Sequence, residues 1–168
     1  MRYAGLIAND FVNGEGVSVS LFTQGCPIHC PGCHNPESWN FDGGIEVDED
    51  ALIAQVTETL TRNSVVRNLS ILGGEPLCEE NQDFIHTLIW WVKNKSPKTK
   101  IYIWTGYTLE QLNARKSHVL SNILRATDVL IAGPYIQEER DITLPLRGSK
   151  NQIIWRRNDE GDLIQSEK

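Results

Sequence analysis

The chain has 168 residues, 40% of them apolar and 23% charged, and a net charge of −6. That is the profile of one ordinary globular domain, too short for a full eight-stranded α/β barrel of about 250 residues. No dense basic stretch marks a nucleic-acid partner, and the bulkiest apolar run, Leu88-Ile89-Trp90-Trp91-Val92, is far too short to cross a bilayer.

The first ten residues lack the long apolar core and small-residue cleavage site of a signal peptide. A cytosolic location is therefore expected, where four cysteines point to metal binding or catalysis sooner than to disulfides. Val17–Phe22 reads as a strand leading into a cysteine loop. Asp48 is placed to cap a helix whose apolar positions are Leu52, Ile53, Val56 and Leu60. Leu69–Leu72 is a short strand ending at Gly73-Gly74-Glu75-Pro76. A helix over Asn81–Lys95 turns Phe84, Ile85, Leu88, Ile89 and Val92 inward, and one of Trp90 and Trp91 is expected to cover the sheet.

Lys100–Trp104 is the next strand, followed by Thr105-Gly106-Tyr107. Thr108 and Gln111 form a capping-box pattern, and His118–Ala126 is helical. Asp128–Ala132 is a strand stopped by Gly133-Pro134, and Gln152–Trp155 is a last strand candidate. Tyr135–Asn151 reads as a long functional loop. Residues 1–156 are expected to form the domain, with 157–168 as a polar, flexible tail.

The alternation of strands and helices predicts an α/β fold with a largely parallel sheet. The cysteine loop, Gly73–Pro76, Thr105–Tyr107 and Ala132–Tyr135 each follow the carboxyl end of a predicted strand. In parallel α/β sheets that rim is where ligands bind.

The chemistry concentrates in Gly25-Cys26-Pro27-Ile28-His29-Cys30-Pro31-Gly32-Cys33-His34-Asn35-Pro36. Three thiolates within eight residues converge on one centre only if the loop turns tightly, and Pro27, Pro31, Gly32 and Pro36 supply the turns. Three is one short of a closed tetrahedral site. Zinc with His29 or His34 as fourth ligand is one reading and unligated thiols another. Closely spaced cysteines without a second ligand pair suit an iron–sulfur cluster better. Cys78 is read as a packed side chain and not as a fourth ligand.

Cys-x3-Cys-x2-Cys resembles the signature of radical S-adenosylmethionine enzymes. Asp10–Gly16, Gly32–Pro36, Trp104–Tyr107 and Arg147–Gln152 narrow the resemblance to the activating proteins of anaerobic ribonucleoside-triphosphate reductases. It covers roughly residues 3–155, and Gly32, where the wider superfamily has an aromatic residue, sharpens it.

The resemblance implies an open partial (β/α) barrel of about six mostly parallel strands with outer helices. It implies one [4Fe-4S] cluster on Cys26, Cys30 and Cys33, with the fourth iron left for S-adenosylmethionine. Backbone at Gly32 or His34, beside Cys33, would face the adenine, and Gly73, Gly74 or Glu75 the methionine ammonium. The implied reaction is one-electron cleavage of S-adenosylmethionine, ending in a glycyl radical on the large reductase subunit, with a low-potential donor such as flavodoxin. Activation of another glycyl-radical enzyme, such as pyruvate formate-lyase, is the competing enzyme reading. A zinc or iron–sulfur interaction module is the competing binding reading. A role for Arg147–Gln152 in ligand or partner contact stands beside that of a solvated loop.

Overall fold

The structure is a computed structural model and describes residues 1–166. One eight-stranded sheet carries four α-helices. The elements are β1 (Arg2–Asp10), β2 (Ser18–Thr23), β3 (Ile45–Glu46), α1 (Glu49–Thr61), β4 (Asn68–Gly73) and α2 (Glu79–Lys95). Then come β5 (Ile101–Thr105), α3 (Leu109–Ala114), α4 (His118–Ala126), β6 (Val129–Ala132), β7 (Ile153–Arg157) and β8 (Leu163–Ser166). The strand order is β3-β1-β2-β4-β5-β6-β7-β8.

The expectation of about six mostly parallel strands is corrected. Among the described residues there are eight strands, and antiparallel pairings (β1–β2, β1–β3, β6–β7, β7–β8) outnumber the parallel ones (β2–β4, β4–β5, β5–β6). The parallel quartet is the part that the βα alternation predicts, because each crossover carries a helix. β1 and β3, and at the other edge β7 and β8, join it as antiparallel strands that need no crossover. Of the tail expected over 157–168, residues 163–166 form a strand, and 167–168 lie outside the described residues. Asn158–Gly161 turns the chain, with Gly161 at φ 90°, and Leu163–Ser166 pairs with β7.

The helices form for the reasons read from their ends. The Asp48 carboxylate accepts from the Ala51 amide at 3.0 Å, and Glu49 and Asp50 add charge favourable to the first turn of α1. Both reciprocal bonds of the Thr108–Gln111 capping box are present. Leu52, Ile53, Val56 and Leu60 from α1 and Phe84, Ile85, Leu88, Ile89 and Val92 from α2 pack against Val19, Leu21, Leu69, Ile71, Ile101 and Ile103. Trp90 and Trp91 are 54% and 39% exposed, so neither covers the sheet. They stand off the buried stripe of α2 and meet edge to face at 5.1 Å.

Among the described residues the opposite sheet face carries no α-helix. Tyr102, Val129, Ile131 and Ile154 form a smaller cluster there with Trp104 and Leu146. Two loops cover parts of this face. The 11–17 loop starts from an Asx turn in which Asp10 accepts from the amides of Val12 and Asn13 at 2.8 and 3.2 Å. Ser70 then donates to the Asn13 carbonyl, Tyr102 to Glu15, and Arg156 pairs with Glu15 at 2.6 Å. That loop closes the amino end of the parallel strands. The 135–151 loop folds back over the other flank, where Trp104 Nε1 donates to the Leu146 carbonyl at 2.7 Å. No helix among the described residues is long and apolar enough to cross a membrane.

Candidate metal and cofactor site

The cysteine loop leaves β2 and is tied back at both ends. Gln24, almost fully buried, donates through Nε2 to the carbonyls of Glu37 and Asn40 at 3.0 and 2.7 Å. The amides of Gly25 and Cys26 donate to the carbonyls of Ser38 and Trp39. Within the loop the Cys33 amide donates to the Cys30 carbonyl at 3.1 Å. His29 takes a positive φ of 52° and stacks on Trp39 at 4.7 Å, while His34 leans on Tyr135 at 5.6 Å. Gly32 has φ 74°, and a Cβ there would run into the Gln137 side chain. Glycine before the third cysteine is favoured by this left-handed backbone rather than by that contact, since the Gln137 side chain can move aside.

Cys26, Cys30 and Cys33 line one cavity of about 140 Å3. Gly73, Gly74 and Glu75 line it from the end of β4, Trp104, Thr105 and Gly106 from β5, and Gly133 and Tyr135 from β6. The four sequence signals at strand ends therefore meet at one place. Gly32 and His34, expected to offer backbone to an adenine, are exposed and stand outside this lining. Of Arg147–Gln152 only Gln152 reaches the cavity. Arg147 donates to the Gln152 carbonyl at 3.1 Å, and Gln152 Oε1 accepts from the Gly148 and Ser149 amides, so this run knits its own loop.

Glu75 does more here than the sequence disclosed. Its side chain is buried, and its carboxylate accepts from the Leu77 amide at 2.9 Å, the Thr105 hydroxyl at 2.7 Å and the Gly106 amide at 2.7 Å. Its own amide donates to the Gly25 carbonyl at 2.8 Å. One residue thereby clamps the ends of β2, β4 and β5 together. A Cβ on Gly74 would run into the Gly25 carbonyl oxygen, so this close approach needs glycine. Burial pushes the Glu75 carboxyl up to about 7 against three donors that favour its charged form. Those donors already engage both carboxylate oxygens, and the Gly74 amide donates to the Thr23 carbonyl at 2.8 Å.

The donor set suits a thiophilic cluster. Burial raises the Cys26 and Cys30 thiols above the ordinary thiol value, so metal binding there must displace protons. The Asn35 amide donates toward Cys33 Sγ at 3.4 Å, a contact that favours a thiolate and tunes a cluster. Among the described residues no three His, Cys, Asp or Glu side chains gather as ligands of a single ion.

Cys78 lies elsewhere. It is the residue before α2, 1% exposed, outside the cavity lining, and burial pushes its thiol up to about 12. Its folded value lies above its unfolded one. The stability it contributes is therefore complete below the ordinary value of 9.0 and is lost as pH rises through about 12. In cluster-free protein at pH 8, iodoacetamide should modify the partly exposed Cys30 and Cys33 first, Cys26 more slowly, and Cys78 only after unfolding. Peptide mapping of the alkylated protein reads this order directly.

Comparison with known proteins gives the arrangement its family. The family model of a 4Fe-4S single cluster domain matches residues 12–155. Proteins named anaerobic ribonucleoside-triphosphate reductase-activating protein align along nearly their whole length. That of Haemophilus influenzae is 38% identical over 93% of this chain and 98% of its own. That of Escherichia coli K12 is 34% identical over 92% and 97%, and that of bacteriophage T4 is 35% identical over 95% and 96%. With that identity along nearly the full length of both partners, and three thiols at the rim of its parallel strands, the chain belongs to the family of anaerobic ribonucleoside-triphosphate reductase-activating proteins.

Proposed function

We propose that this chain is an activating enzyme that generates a glycyl radical on an anaerobic ribonucleoside-triphosphate reductase. Cys26, Cys30 and Cys33 would hold a [4Fe-4S] cluster, and S-adenosylmethionine would bind beside them in the same cavity. The observation that carries the reading is the meeting of the three thiols with Gly73-Gly74-Glu75 in one cavity at the ends of parallel strands. When bound, cluster and S-adenosylmethionine together supply one-electron reductive cleavage and a radical able to take hydrogen from glycine.

The protein's share is placement. The Gly73-Gly74 backbone offers acceptors to the methionine ammonium, while the Glu75 clamp fixes that segment against the cysteine loop. Gly32 and His34, the exposed neighbours of Cys33, would offer their backbone to the adenine edge from outside the cavity lining. Trp104, Tyr135 and Ile28 give the cavity apolar wall that keeps water from the reacting atoms. The parallel quartet β2-β4-β5-β6, with helices on one face, supports an open barrel-like wall around both cofactors. Electrons come from a low-potential donor such as flavodoxin, in a reducing cytoplasmic setting.

Anaerobic reconstitution with iron, sulfide, S-adenosylmethionine, a reductant and the reductase tests the proposal. A glycyl radical signal on the reductase is the expected result. Methionine release without that signal would keep the chemistry and discard the partner. Zinc without sulfide in anaerobically purified protein would sink the cluster.

A further inference from the structure

Arg115 closes the carboxyl end of α3, yet its half-buried side chain leaves that helix for the turns after β4 and β5. Nη1 donates to the Leu77 carbonyl at 2.9 Å. The planar guanidinium lies over the Tyr107 ring, with Cζ 3.8 Å from the ring centroid. The backbone beneath is held in place: Leu112 anchors α3 in the core, and Lys116, at φ 50°, reverses the chain into α4.

These two contacts complete a closed circuit around the Glu75 clamp. The Leu77 amide and the Thr105 hydroxyl both donate to Glu75 Oε1, at 2.9 and 2.7 Å, and the Tyr107 amide donates to Thr105 Oγ1 at 3.2 Å. Leu77 and Tyr107 are the outer members of two neighbouring turns, and Arg115 touches both. From Glu75 the contacts run inward. Its amide holds the Gly25 carbonyl and the Gly74 amide holds the Thr23 carbonyl, each at 2.8 Å. Gly73 and Gly74 line the thiol cavity, whereas Leu77, Tyr107 and Arg115 do not. Burial disfavours the charged form of the Glu75 carboxyl, and the Arg115 guanidinium favours it, so charge and hydrogen bonding act together.

We propose that Arg115 is a positioning residue for the methionine end of S-adenosylmethionine. By bridging Leu77 and Tyr107 it locks the turns after β4 and β5 together, and so fixes the Gly73 and Gly74 carbonyls that meet the ammonium. The inference rests on the function proposed above. Arg115 touches no reacting atom, and its effect passes through the backbone. A cation that served only the dipole of α3 would sit at the last carbonyls of its own helix. This one reaches a turn 38 residues upstream. Stacking on Tyr107 fixes the plane of the guanidinium, so Nη1 is aimed at Leu77 before any ligand arrives.

The test measures S-adenosylmethionine binding and methionine release by reconstituted holoenzyme carrying Arg115→Ala, Arg115→Lys or Leu120→Ala. Leu120 is buried in the main core on α4 and does not line the cavity, so it controls for general loosening. Arg115→Ala should raise the Kd and KM for S-adenosylmethionine about fivefold or more, with kcat within about twofold of the parent. Iron and sulfide per chain should stay at the parent level. Arg115→Lys keeps the charge and loses the planar stack, and should raise Kd about twofold or more. Leu120→Ala should lower the unfolding temperature at least as much as Arg115→Ala and leave Kd unchanged. An unchanged Kd in both Arg115 variants would overturn the assignment, and so would an equal rise in Leu120→Ala. Loss of iron in Arg115→Ala alone would also overturn it, by showing that Arg115 supports the cysteine loop instead. If Arg115→Ala does not fold, Arg115→Lys decides, and a parent-like Kd there overturns the proposal. Failure of the parent holoenzyme to release methionine at all would remove the function itself and the inference with it.

Discussion

Replacing any one of Cys26, Cys30 and Cys33 with alanine should abolish both bound iron and methionine release, while Cys78→Ala should leave both in place. Loss of an outer-shell contact to a metal ligand already costs 10–100-fold, so loss of a direct thiolate should exceed about a hundredfold in activity. The three thiols share one cavity and have no replacement donor in it. His29 is held against Trp39, His34 against Tyr135, and the Glu75 oxygens are engaged by three protein donors. Cys78 packs at the start of α2, and its truncation should cost about 1 kcal/mol of stability, the ordinary effect of a small buried deletion. Iron and sulfide per chain, measured after anaerobic reconstitution, decide the matter. A Cys78→Ala protein without iron would show that the fourth cysteine is a ligand and that no iron is left for S-adenosylmethionine.

The parts of this molecule legible in its sequence are those whose causes are local. Asp48, the Thr108–Gln111 box and the inward positions of α1 and α2 appear in the structure as their spacing predicts, because caps and helical periodicity act within a few residues. The convergence of four strand-end motifs was legible because parallel βα units place them on one rim. The edge strands were not. Ala4, Gly5 and Ala8 dilute any alternation in β1, whose strand form comes from pairing with β2, and β8 depends on a turn at Asn158–Gly161 inside a polar run. The reason for glycine at Gly32 was equally hidden, because its φ of 74° exists only in the folded cysteine loop. The clamp at Glu75 was missed on the same ground: its partners Thr105 and Gly106 belong to a strand end that only the folded sheet brings near. A buried carboxylate with a signal of this type is recognisable beforehand only as an acidic residue stranded in an otherwise apolar and glycine-rich turn.

Glu75→Ala should therefore damage the fold and the site together. The substitution leaves the Leu77 amide, the Thr105 hydroxyl and the Gly106 amide without their acceptor in a buried place, at about 1–3 kcal/mol for each donor that water fails to reach. Three such donors together make a loss of about 3 kcal/mol or more, a large share of the 5–15 kcal/mol that holds a domain of this kind. Glu75→Gln should cost less, since its carbonyl oxygen keeps one side of the clamp, but its NH2 then faces a donor. Urea unfolding of cluster-free protein measures both changes. The pH dependence separates the clamp from mere volume. The folded carboxyl lies at about 7, above its ordinary 4.5, so its contribution to stability is complete below 4.5 and is lost as pH rises through about 7. Glu75→Gln should flatten that segment of the stability curve, whereas a variant that only loosened packing would shift the whole curve without changing its shape. Because the side-chain clamp fixes the segment whose amide holds Gly25, weakened S-adenosylmethionine binding in Glu75→Gln should accompany the stability loss, with bound iron retained.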